Sequence, residues 1–158
     1  MFIPINQALL NQVSEKAQKS PRLRMNHNFH HTPDDLLNRM LNAMEPGTYV
    51  HPHKHENPDK REAFLILRGR LLVIAFDDMG TIIDHIELNP LTGNFGLEIP
   101  PRTYHTLITL EAGTVVYELK DGPYNVLNDK QFAPWAPAEG SAESAGYMKD
   151  LLTQLALT

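Results

Sequence analysis

Cysteine is absent from the 158-residue chain. That excludes disulfides, thiolate nucleophiles and thiolate metal ligands. Long apolar runs are also missing, and none approaches the roughly 20 residues that a membrane-spanning helix needs. Basic charge is scarce: the formal net charge is -5, and no cluster of Lys and Arg offsets it. A nucleic-acid-binding role is therefore not expected. The first residues, MFIPINQALLNQVSEKAQKS, lack the basic flank and apolar stretch of a signal peptide. A cytoplasmic protein is the expectation.

What is present suits one ordinary globular domain, with 42% apolar residues and enough length to bury a core. Leu9, Leu10, Val13 and Ala17 recur at spacings of three and four. They predict an amphipathic helix over 5–19, stopped by Ser20-Pro21. A polar arm, RLRMNHNFHHTPDD, follows. Its end, Thr32-Pro33-Asp34-Asp35, has the form of a short helix start. Short apolar runs then alternate with turn residues: TYVHPH, EAFLILRG, RLLVIAFDDMG, TIIDHIEL, NFGLEIPP, TYHTLITL and GTVVYELKDGP. Such spacing predicts a β-sandwich or small barrel. A final helix is expected in SAESAGYMKDLLTQLAL, capped by Ser141 or Ser144. The organisation predicted is a single domain over 1–158. It comprises a helix and polar arm (1–38), a β core (39–120), and a proline-bearing crossing with a C-terminal helix (121–158).

The eight histidines are unevenly placed, three of them in His51-Pro52-His53-Lys54-His55. Alternate strand residues share a face about 7 Å apart, so His53 and His55 are able to close on one ion. His51 shares their parity, and parity alone does not remove it. Glu62 opens the next apolar run, where a hairpin would bring it opposite the histidines. His105 follows a proline turn at the head of another strand. These residue types suit a mixed nitrogen–oxygen metal site. His27, His30, His31 and His85 are read as surface or packing residues rather than ligands. Arg22, Arg24, Asn26, Asn28 and His30 alternate, so an extended arm would present them on one side. They are candidates to bind an anionic or hydroxyl-rich ligand, with Arg24 as a bidentate anchor. Arg39 and Arg102 are further candidates, as are Lys120 with Tyr124. Phe64, Ile66, Tyr104 and Tyr117 are candidate pocket walls, and Tyr104 is also counted among the ligand-contacting residues.

Gly47, His53-Lys-His55, Glu62 and Gly69 resemble the first cupin motif, with a hairpin loop lengthened at Asn57-Pro58-Asp59-Lys60. Gly93, Pro100, Arg102 and His105 are similar to the second motif, except that Arg102 stands at an expected Gly and Thr109 at an expected Asn. RMLNAMEPGTYVHPHKHENPDKREAFLILRGRL, ELKDGPYN and FAPWAPAEG extend the resemblance to WbuC-type cupin proteins, often encoded among O-antigen and surface-polysaccharide genes. The resemblance implies a mainly β double-stranded β-helix, or small jelly-roll barrel, with helices at both ends. It further implies His53, His55, Glu62 and His105 as ligands of one divalent transition metal (Zn, Fe, Ni or Mn), and a homodimer. His51 falls outside those ligand positions. The function implied is a metal-dependent isomerase, epimerase or lyase, or with iron an oxygenase. Its substrate would be a small polar metabolite such as a sugar or nucleotide-sugar, with Glu62 or His51 as catalytic base. The alternative is a cupin that binds a sugar or metabolite without turning it over.

Overall fold

In the computed structural model, which describes residues 1–157, the amphipathic period near the N-terminus becomes helix α1 (Gln7–Lys19). Asn6 caps it, its side-chain oxygen accepting from the Leu9 N–H at 3.0 Å. Leu10, Val13 and Ala17 face inward against Leu41, Ala43 and Val115. Ten strands follow: β1 (Arg24–Asn28), β2 (Leu37–Met44), β3 (His53–Lys54), β4 (Glu62–Arg68), β5 (Leu71–Phe76), β6 (Ile82–Leu88), β7 (Gly96–Ile99), β8 (Tyr104–Thr109), β9 (Thr114–Asp121) and β10 (Gln131–Phe132) among the described residues, with β4 to β9 built from the apolar runs. Helix α2 (Ser144–Gln154) closes the chain.

The strands pair as two five-stranded sheets, β1-β2-β9-β4-β7 and β10-β3-β8-β5-β6. Every pairing between named strands is antiparallel. Among the described residues no ladder joins one sheet to the other. Three apolar clusters hold this arrangement. Met44, Phe64, Ile66 and Val116 of the first sheet meet Leu71, Val73 and Leu107 of the second. The first sheet's outer face lies under α1. The second sheet's outer face, with Leu72, Ile74, Tyr104 and Ile108, is covered by Trp135 and by Leu151 of α2.

Period-2 alternation makes each inward-facing row polar at one end and apolar at the other. On β9, Val116 is followed by Glu118 and Lys120; on β4, Ile66 and Phe64 are preceded by Glu62. On β8, Leu107 belongs to the apolar cluster while His105 belongs to the polar end. The cavity therefore opens at one end of the space between the sheets, and the other end is solid core.

Two local expectations are corrected. Thr32–Asp35 starts no helix: the Asp35 carboxylate accepts from the His31 N–H (3.1 Å) and the Thr32 hydroxyl (3.1 Å), which closes a turn into β2. Neither serine caps α2 through its side chain. Glu143 stands at the cap without a side-chain bond, and the Ser144 hydroxyl donates to the Ser141 carbonyl at 2.9 Å.

Gly69, in the turn between β4 and β5, has φ +81, and a Cβ there would lie 2.8 Å from Thr114 Cα. Gly69→Ala is expected to cost about 1–3 kcal/mol in urea unfolding. Arg102 keeps a left-handed backbone, φ 64, without being glycine. Its ion pair with Asp59 is 64% exposed on the arginine side, so Arg102→Gly gives up little and relieves backbone strain. Its unfolding midpoint should stay at or above wild type; a loss as large as that of Gly69→Ala would contradict this account.

Candidate metal centre

β3 and β8 are register partners at His53 and His105, and β4 supplies Glu62 from the facing sheet. With His55 these side chains are at least 96% buried. One donor atom from each lies within 4.8 Å of the others.

The backbone orients the three rings. His53 Nδ1 meets the His51 carbonyl at 2.9 Å, and His105 Nδ1 meets the Thr103 carbonyl at 3.0 Å. His55 Nδ1 contacts the Asp129 carbonyl. A carbonyl only accepts, so each Nδ1 carries the proton and each Nε2 keeps its lone pair. Glu62 Oε2 then stands 3.0 Å from His105 Nε2 and 3.3 Å from His55 Nε2. None of these three atoms has a hydrogen-bond partner. Acceptors facing one another at that distance need a shared cation. Two donors at right angles on an ion with bonds of about 2.1 Å would themselves be about 3.0 Å apart. The residues therefore fit a divalent metal, and three nitrogens with one oxygen suit Zn, Fe, Ni or Mn alike.

The electrostatics agree with that fit. Burial, with Lys130 and His105 nearby, holds the His53 imidazole well below its ordinary range and keeps it neutral. Glu118 is pushed up to about 8 by burial and by the negative charge of Glu62.

His53, Glu62 and His105 border a cavity of about 690 Å³, within the usual range for small-molecule sites. Arg24, Asn26, Asn28 and His30 line it, as do His51 and Phe64. His51 Nε2 donates to the Ala133 carbonyl at 3.1 Å and its ring stacks on Phe132 at 4.8 Å. Arg24 is already engaged: Nη2 lies 2.8 Å from both Glu139 oxygens, and Nη1 donates to the Tyr49 carbonyl and the Thr48 hydroxyl. Arg39 and Tyr104 do not line the cavity. Arg39 donates to the Phe29 carbonyl at 3.1 Å, and Tyr104 packs on Trp135 on the other face of its sheet. Ile66 is core, and Tyr117 lies on the α1 side against Phe29.

Sequence reasoning missed a buried ion cluster beside the centre. Asp129 accepts from Lys60 Nζ at 2.9 Å and from Lys120 Nζ at 2.6 Å. Lys60 also donates to the Pro123 carbonyl at 2.6 Å. The cluster ties the segment 123–130 to the sheet and so holds the carbonyl that faces His55. Two of the three motif departures bear on this region: the lengthened hairpin supplies Lys60, and Asp59 of the same loop pairs with Arg102 at 2.9 Å.

Two facing antiparallel sheets with terminal helices, enclosing three histidines and a glutamate, define a protein of the cupin fold. A family model described as a domain of unknown function (DUF6016) matches residues 5–88. The chain belongs to that family. Among solved structures it is similar to KdgF from Halomonas sp., at 22% identity and TM-score 0.51, over 67% of this chain and 84% of that one. It is also similar to CapF of Staphylococcus aureus, a capsular polysaccharide assembling protein, at 18% identity and TM-score 0.56. That match covers 69% of this chain but 31% of CapF, so the chain spans under a third of its length. At these identities the likeness concerns the fold. No curated protein matches the sequence significantly.

Asp129→Asn leaves two buried ammonium groups without a full counter-charge and should cost about 3 kcal/mol. Metal affinity should fall roughly tenfold as the His55 support loosens. Burial pushes the Asp129 carboxyl up, but Lys120 and Lys60 hold it below its ordinary 3.8. The unfolded state therefore binds the proton first as pH falls. This contribution is full above pH 3.8 and is lost as pH drops through the folded value. Acid titration of wild type and Asp129→Asn should converge in stability at low pH and diverge above it.

Proposed function

We propose that the protein is a metal-dependent enzyme of the WbuC-type cupins, acting on a small sugar or nucleotide-sugar by isomerase, epimerase or lyase chemistry. The observation that carries this reading is the convergence of three Nε2 lone pairs and one carboxylate oxygen beside a cavity that His53, Glu62 and His105 line. The resemblance of the fold to CapF, a capsular polysaccharide assembling protein, supports a place in surface-polysaccharide metabolism. A divalent ion held by His53, His55, Glu62 and His105 would supply Lewis-acid polarisation of a substrate oxygen.

The chain's own residues would do the rest. Glu62 is turned toward two imidazoles, which assigns it to the donor set and leaves proton transfer to another group. With Nε2–H donated to the Ala133 carbonyl, His51 keeps Nδ1 as its basic nitrogen, on a ring that lines the cavity. It is the base in this proposal. Asn26 and Asn28 present amides to the ligand from β1. Phe64 and Leu107 exclude water from the inner wall.

Protein purified without added metal should carry about one transition-metal equivalent per chain by elemental analysis, and a His53→Ala, His105→Ala double variant should carry none. Equal metal in both would sink the ligand assignment. Sugar nucleotides offered to protein reloaded with iron, manganese, nickel or zinc should turn over. His51→Ala should lower that rate by about 100-fold with metal content unchanged. Saturable binding without turnover under all four metals would favour the non-catalytic binder instead.

A further inference from the structure

Four basic side chains line the cavity: Arg22, Arg24, Lys120 and Lys130. Three have a carboxylate partner. Arg22 and Arg24 share Glu139, and Lys120 shares Asp129 with Lys60, at 2.6 Å from its own Nζ. Among the described residues Lys130 forms neither an ion pair nor a side-chain hydrogen bond.

The nearby carboxylates are all engaged elsewhere. Glu62 faces His55 and His105, Glu118 accepts from Asn42 at 3.1 Å, and Asp129 bridges Lys60 and Lys120. A second group is also incomplete. Asn42 is 9% exposed and lines the cavity, and its Oδ1 has no hydrogen-bond partner. Lys130, exposed and lining the cavity, is the ammonium there without a carboxylate partner and is able to take an anion, and one buried orphan acceptor calls for a hydroxyl or amine donor.

The surface beside Lys130 adds a third requirement. Lys130 and Phe132 are two residues apart in extended chain and both line the cavity, whereas Gln131 between them turns away to the Glu56 carbonyl. Phe132 is 54% exposed and stacks on His51. Val126, 76% exposed, borders the same wall. An apolar ring face beside a point charge suits the flat C–H side of a sugar or cyclic polyol whose substituent is an oxyanion.

We propose that the cavity takes a hydroxyl-bearing anion, a sugar or polyol carrying a carboxylate or phosphate, whose anionic group sits on Lys130 and one of whose hydroxyls donates to Asn42. This rests on the reading of the cavity as a sugar-metabolite site. It moves the anion anchor from Arg24, whose guanidinium is filled, to Lys130.

Calorimetric titration of the full chain, carrying the metal it is purified with, would use three probes: D-glucose, D-glucuronate and D-glucose 6-phosphate. At least one anion should bind about tenfold or more tightly than glucose, as for one charge-assisted hydrogen bond. Whichever anion leads identifies the substituent. Lys130→Met should abolish the preference while leaving glucose affinity, unfolding midpoint and metal content in place, and Lys130→Arg should keep most of it. The proposal is overturned if neither anion outbinds glucose, or if the preference survives in Lys130→Met. A wild-type protein that holds no metal yet prefers the anion would defeat the metal-centre reading and leave this one standing.

Discussion

Three bonds from imidazole Nδ1 to main-chain carbonyls set the character of this site. They turn three histidines into fixed acceptors, all aimed at the carboxylate of Glu62. Their carbonyls come from residues 51, 103 and 129, which are remote from one another in sequence. The donor set is therefore a property of the assembled sandwich and not of any one strand. The acceptor from residue 129 comes from a loop, and it is in place because Asp129 is bound between two buried lysines.

The same inward rows serve opposite ends. Toward the closed end, Ile66, Val116 and Leu107 join the core between the sheets. Toward the open end the strands present Glu62, Glu118 and His105, which are buried at a cost in desolvation. The molecule accepts that cost where ligand chemistry is available and recovers stability from the apolar end, from α1 and from the C-terminal cover.

Much of this was legible beforehand. Six of the seven apolar runs became strands, because alternation and turn chemistry are local signals; of TYVHPH only His53 enters a strand. His53, His55, Glu62 and His105 stood out by residue type and spacing, and the structure brings them together. β1 escaped because RMNHN is polar on both faces, one toward the cavity and one toward solvent. β2 escaped because LNRMLNAM carries amides on its inner face, where a core strand would be apolar. The ion cluster escaped for a different reason: Lys60 and Asp129 lie 69 positions apart, and a lone charged residue in a loop reads as solvated. Glu118 and Lys120 did leave a trace. In VVYELKD they share the parity of Val116, which places two charges on an inward face.

The hairpin between β3 and β4 carries a wider consequence. Its added residues contribute Lys60 to the ion cluster and Asp59 to Arg102, the residue that stands where the cupin motif has glycine. These two departures from the motif touch each other. A graft of this centre onto another cupin scaffold would therefore have to transplant the long hairpin and the 123–130 segment as one cassette. Moving the four donors alone would leave them without the support that aims His55.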